Sequence, residues 1–187
     1  MHSEKQKHYF KCRKDSLNRC FGIRQGAMVE MGAEKSYLEA FKVGEKTISP
    51  GRTVAEADIV LFAGISGDWN ELHTNAEYMK NGPFGQRIAH GMLTLSIASG
   101  LALRGRRHRP FEVLAFLGMD NVRFTAPVFI GDTIRVESEV LEVRSSKSRP
   151  ETGIIKFKNT VKNQRDEAAA TWETVLMVPT RTKEQKP

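Results

Sequence analysis

The stretch Gly91-Met92-Leu93-Thr94-Leu95-Ser96-Ile97-Ala98-Ser99-Gly100-Leu101-Ala102-Leu103 constrains the fold of this chain more than any other. It is apolar nearly all round, with small residues set between large ones. A helix without a polar face has to be enclosed by protein, and the small residues let other elements approach its backbone. The apolar run is about 12 residues long, and a membrane span needs about 20. Thr94, Ser96, Ser99 and Gly100 interrupt it as well, so no membrane association is expected. A chain of 187 residues can build such an enclosure, because folding at this size removes about 70% of the unfolded surface from water.

The material for the enclosure follows directly. After Pro110 the pattern drops to period two. Phe116 to Phe124 reads as a strand. Ile134, Val136, Ser138 and Val140 then alternate with Arg135, Glu137 and Glu139. Ile155, Phe157 and Val161 alternate with Lys156 and Lys158, and Ala170, Trp172, Thr174 and Leu176 with Thr171, Glu173 and Val175. Such alternation means antiparallel strands with one face buried and one wet. The links Ser145–Gly153 and Asn163–Glu167 read as hairpins, giving a meander of four strands. One buried helix wrapped by antiparallel strands is an α+β architecture.

Upstream, Gly44 and Ser49-Pro50-Gly51 mark turns around a short strand. Thr53-Val54-Ala55-Glu56 and Thr74-Asn75-Ala76-Glu77 read as capping boxes. The first predicts a helix from Val54 to Ala63 with Val54, Ala57 and Leu61 on one face. The second predicts a short helix ending at Asn81-Gly82-Pro83. Ser66 to His73 lies between them as a loop fixed at both ends.

The net charge of +7 sits in the tails. Lys5, Lys7, Lys11, Arg13, Lys14 and Arg19 outnumber Glu4 and Asp15 near the start, and Arg181, Lys183 and Lys186 outnumber Glu184 at the end. The body is close to neutral, whereas a nucleic-acid binder carries its basic surface on the folded part. No nucleic-acid partner is expected. Residues 1–36 read as a basic, weakly structured extension, 37–179 as the folded domain and 180–187 as a basic tail. Cys12 and Cys20 are the two cysteines. They give the core neither a disulfide framework nor a thiolate zinc site, which places the chain in a reducing, cytoplasmic setting.

Two features carry chemistry. The loop sets Asp68 and His73 five residues apart with Asn70 between them, and a carboxylate and an imidazole converging on one water are suited to proton transfer. Asp and His also serve as plain turn and cap residues in loops. In Ala89-His90-Gly91-Met92, Gly91 falls at the start of the buried helix, where N–H groups have no intrahelical partner. Lacking a Cβ, it lets a carbonyl oxygen approach that N–H, as an oxyanion donor requires. The bland reading is a glycine needed for packing, with His90 as a structural hydrogen-bonder. A metal held by Asp68, His73 and His90 finds no supporting H-x-x-x-H spacing, so no metal is expected. Gly64-Ile65-Ser66-Gly67 is not the nucleophile elbow of a serine hydrolase.

Three blocks, Ser66–His73, Phe84–Leu93 and Phe124–Asp132, together resemble the MaoC-like dehydratases, which include the (R)-specific enoyl-CoA hydratases. The resemblance covers residues 41–179 and implies a single hotdog domain: a long central helix wrapped by a curved antiparallel sheet. It implies reversible hydration of a trans-2-enoyl-CoA to an (R)-3-hydroxyacyl-CoA. By position it makes Asp68 and His73 the catalytic pair and the Gly91 N–H the donor to the thioester carbonyl. Asn70 and Ser99 become supporting residues, and His90 and Met92 border the substrate. It calls for no cofactor, coenzyme A being part of the acyl-CoA thioester substrate, and for a homodimer or a dimer-based higher oligomer. Glu71 stands where the family commonly has proline. The alternatives are a hotdog protein that binds acyl thioesters without chemistry and a hotdog acyl-CoA thioesterase.

Overall fold

A computed structural model describes residues 36–105 and 110–181. The extension expected over residues 1–36, apart from Ser36, lies outside the described residues, as do Arg106, Arg107, Arg109 and residues 182–187. In chain order a 3-10 turn at Leu38–Ala40 precedes β1 (Lys46–Ile48), β2 (Arg52–Thr53), α1 (Glu56–Ser66), α2 (Glu71–Thr74) and α3 (Ala76–Lys80). Then come α4 (Gly91–Arg104), β3 (Ala115–Phe124), β4 (Thr133–Ser145), β5 (Thr152–Lys162) and β6 (Ala168–Pro179).

The strands form one antiparallel sheet in the order β1-β4-β5-β6-β3, with β2 also paired to β4. Successive hairpins join β4, β5 and β6, as the alternation implies. The expected four-strand meander is corrected at β3, which pairs with β6 at the far edge. The β3–β4 link is therefore no hairpin. It carries the chain past the start of α4, where the Ala89 N–H donates to the Val128 carbonyl at 2.8 Å.

The inner face of the sheet is the one the alternation marks. Ile134, Val136 and Val140 on β4, Ile155, Phe157 and Val161 on β5, and Ala170, Trp172 and Leu176 on β6 are all buried. At one end α4 packs Leu93, Ile97, Ala98 and Leu101 into this face. At the other end the 3-10 turn covers it with Leu38 and Phe41. Each large aliphatic side chain buried this way contributes about 1.5–3 kcal/mol. One long helix against one antiparallel sheet is the hotdog layout.

The expected enclosure of α4 is incomplete. Met92 and Leu103 are 57% and 54% exposed, and Ser96 and Gly100 lie on the same open stripe. The capping boxes are also corrected by one or two residues. Thr53 belongs to β2, and the first helix starts at Glu56 with the Ala55 N–H donating to Asp58 Oδ2 at 2.9 Å. Ile59 and Ala63 face inward while Ala57 and Leu61 are exposed, because apolar residues surround this helix and periodicity cannot select its face. Asn75 rather than Thr74 caps α3, accepting from the Tyr78 N–H at 3.0 Å. Among the described residues no helix is long and apolar enough to cross a membrane.

Candidate active site

Asp68 and His73 reach their places by a turn and a single helical turn. Gly67 ends α1 in the left-handed region at φ 74°, a conformation glycine adopts without the Cβ clash that other residues meet. Its N–H caps α1 by donating to the Ala63 carbonyl at 2.9 Å. The chain then turns at Asp68. Asn70 caps α2 by accepting from the Leu72 N–H at 3.0 Å, which satisfies one of the free donors of a helix start. The expected irregular loop is thus partly helical, and His73 projects from α2 into the protein.

His73 is 9% exposed. Its Nδ1 lies 2.8 Å from the Ile88 carbonyl. A carbonyl only accepts, so Nδ1 carries the proton and Nε2 is the nitrogen left for exchange. Asp68 is exposed, and its carboxylate also accepts from the Asn70 N–H at 3.3 Å. Gly91 is the first residue of α4, so its N–H is among those without an intrahelical partner, at the positive end of the helix dipole. His73 and Gly91 line one cavity of about 400 Å³ together with Phe84, Thr94, Phe124 and Val128. A Cβ on Gly91 would lie 3.1 Å from the Phe124 ring.

A carboxylate oxygen of Asp68 and one ring nitrogen each of His73 and His90 all lie within 4.8 Å of one another. One water spans such a gap with two hydrogen bonds of about 2.8 Å. A shared metal ion fits the same atoms poorly. A ring nitrogen binds an ion along its lone pair, in the ring plane. The two imidazoles are stacked, with centroids 3.8 Å apart and planes 29° apart. Their lone pairs therefore lie in two stacked, nearly parallel planes.

The two residues expected to border the substrate, Met92 and His90, do not line this cavity. Met92 points to the open side of α4, because the residue after a helix's first position lies about 100° around the axis from it. His90 is 2% exposed and lies behind His73 instead of lining the cavity. Ser99 does not join the pair. Two helical turns along α4, it lines a separate apolar cavity of about 180 Å³ with Ala102, Leu103, Phe116, Trp172 and Leu176. Sequence reasoning missed Thr94, Phe84 and Phe124 as cavity walls. The two phenylalanines carried a readable signal, since each opens one of the three characteristic blocks. The Ile88 carbonyl carried none, because a backbone acceptor leaves no mark in a sequence.

Two clamps hold the segment that leads into α4. Arg87 forms a double hydrogen bond with Glu56 at 2.8 and 2.6 Å, and the Arg87 guanidinium holds the Glu56 carboxyl below its usual range. Asp132 fixes the neighbouring link, accepting from the Phe129 N–H at 2.9 Å and from Gln164 at 2.6 Å. Burial pushes the Asp132 carboxyl up. The hydrogen bonds from Gln164 and Phe129 and the charge of Arg165 outweigh it and hold the group low.

The MaoC like domain family matches residues 40–163. Protein MaoC of Klebsiella aerogenes is 41% identical over 54% of this chain, which spans only 30% of that protein. The (R)-specific enoyl-CoA hydratase of Rhodospirillum rubrum is 34% identical over 78% of this chain and 93% of its own length. A solved structure from Archaeoglobus fulgidus, described as a monoamine oxidase regulatory protein, superposes with a TM-score of 0.72 at 38% identity, covering 79% of this chain and 97% of that one. With most of its folded body matched, and with a relative aligned over nearly its full length, this chain belongs to the MaoC-like dehydratase family.

Proposed function

We propose that this protein hydrates trans-2-enoyl-CoA thioesters to (R)-3-hydroxyacyl-CoA, and runs the reverse dehydration. The observation that carries this reading is the approach of the Asp68 carboxylate and the His73 ring within one water's span, with His73 and the helix-start residue Gly91 lining one cavity. The thioester carbonyl accepts from the Gly91 N–H, and the helix start stabilises charge developing on that oxygen. Water held between Asp68 and His73 attacks C3. Asp68 takes a proton from this water and passes it to Nε2 of His73, the nitrogen that the Ile88 bond leaves unprotonated. His73 then delivers that proton to C2, which restores both groups. Water has added across the double bond with no other reactant consumed. The pair exchanges protons as a unit.

A second copy of the chain completes the molecule in this reading. The edge strand β3 leaves Phe116 and Leu117 about half exposed, and Phe116 meets Leu103 of the open α4 stripe at the second cavity. Unpaired strand edges of this kind invite pairing.

The reaction is tested by following loss of the enoyl absorbance over a panel of trans-2-enoyl-CoAs, with chiral analysis of the products. Formation of the (R)-3-hydroxyacyl product supports the assignment. Binding without absorbance loss points to a non-catalytic thioester binder, and release of free thiol from saturated acyl-CoA points to a thioesterase. Either of these outcomes refutes it.

A further inference from the structure

We infer that His90 is a positioning residue that sets the acid and the base of the site at once. It occupies the N-cap of α4 with no side-chain bond to the helix it caps. Ser, Thr, Asp and Asn are the residues that stabilise such positions, so an imidazole here gives up capping and has another use. Its Nε2 lies 3.0 Å from the Asp68 carbonyl. That oxygen only accepts, so Nε2 holds the proton and donates it. The ring face lies against His73, with centroids 3.8 Å apart, and Phe62 packs on His90 at 5.0 Å. His90 Nδ1 is buried and unpartnered among the described residues. The whole polar investment of this side chain is therefore one bond, to the backbone of the acid.

The three reactive groups come from three separate pieces of chain, namely the turn at Asp68, the short helix α2 and the start of α4. His90 touches all three. It holds Asp68 through that residue's carbonyl, supports the His73 ring from behind, and adjoins Gly91 covalently. Placement to within a fraction of an ångström is where much of the rate of such a reaction resides. His90 itself is buried and does not line the cavity.

The two contacts are separable. His90→Gln keeps an N–H near the position of Nε2 and removes the aromatic face. His90→Phe keeps the face and removes the N–H. Because Nδ1 has no partner, neither change orphans a bond there. Each is expected to lower kcat on crotonyl-CoA about 10- to 100-fold with KM within about threefold, consistent with loss of positioning. His90→Ala, lacking both contacts, is expected to fall further. A KM rise at unchanged kcat would make His90 a substrate contact, and wild-type kinetics in both Gln and Phe variants would remove its role. Both outcomes overturn the inference.

A measurement on the unaltered protein stands beside these, should a variant fail to fold. Two-bond ¹H–¹⁵N spectra of the imidazoles are expected to show the Nε2–H tautomer for His90 and the Nδ1–H tautomer for His73. The opposite tautomer at His90 breaks the bond to Asp68 and overturns the inference. The kinetic arm rests on the hydratase reading and the tautomer arm does not. A wild-type protein without hydratase activity but with the expected tautomers would therefore fail the reaction and leave the geometry standing.

Discussion

Asp68 stands on an exposed turn and His73 on a buried helical turn, so their replacements are expected to differ in structural cost but not in chemistry. Asp68→Asn keeps the shape of the turn and loses the proposed proton acceptor. His73→Ala also removes the ring on which His90 stacks. Both are expected to lower kcat by at least about 100-fold, the lower end of what a positioned acid or base contributes, with far-ultraviolet circular dichroism unchanged. Near-normal turnover in both variants would contradict the roles given to them. Gly91→Ala is the third residue-level test. The new methyl group would lie 3.1 Å from the Phe124 ring and beside the N–H proposed to meet the thioester carbonyl. Loss of kcat/KM is expected with thermal stability nearly kept, since Phe124 is half exposed and its ring can give way. Unchanged kcat/KM would remove the donor from the account.

The elements show what a sequence can disclose and what it cannot. The strands were legible because one buried face and one wet face leave a period of two, and Ile134 to Val140 run as that period requires. The start of α4 was legible because Gly91 sits where the apolar run begins. The face of α1 was hidden, since Val60, Leu61, Phe62 and Ile65 leave no polar side to exclude. The partner of β3 was hidden too, because alternation reveals faces but not neighbours. In the site, the Asp68–His73 spacing was readable, while the short helix α2 that turns His73 inward depends on an Asn70 cap that resembles an ordinary loop residue. Ser99 was placed with the pair by resemblance alone, and it stands two turns along α4 from Gly91 on a different cavity. Packing at α4 has its own test. Leu101 is 2% exposed, and Leu101→Ala is expected to cost about 2–5 kcal/mol in denaturant unfolding. A cost below about 1 kcal/mol would mean that α4 is not the core helix.

For the molecule as a whole, stability and assembly have separate controls. Asp132 ties the β3–β4 link to the β5–β6 turn, and its carboxyl is held below the usual value of 3.8. A group depressed in the folded state stabilises above its unfolded pKa, and that contribution is lost as pH falls through the folded value. Stability is therefore expected to be level near neutrality and to drop below about pH 4. Asp132→Asn is expected to cost about 1–3 kcal/mol at neutral pH and to flatten the acid limb of Tm against pH. An acid limb unchanged by the substitution would place the effect on other carboxylates. Assembly is expected to depend on the edge strand, so that Phe116→Lys with Leu117→Lys yields a monomer in sedimentation velocity. A wild-type monomer would leave the open stripe of α4 without its expected cover.

The most direct test of the central proposal, that Asp68 and His73 share one water near the Gly91 N–H, is the initial rate of crotonyl-CoA hydration by the wild-type chain and by Asp68→Asn, measured side by side. The account predicts loss of the enoyl absorbance with (R)-3-hydroxybutyryl-CoA as product, and a rate at least about 100-fold lower in the variant. Equal rates in the two proteins, or the (S) product from the wild-type chain, would contradict it.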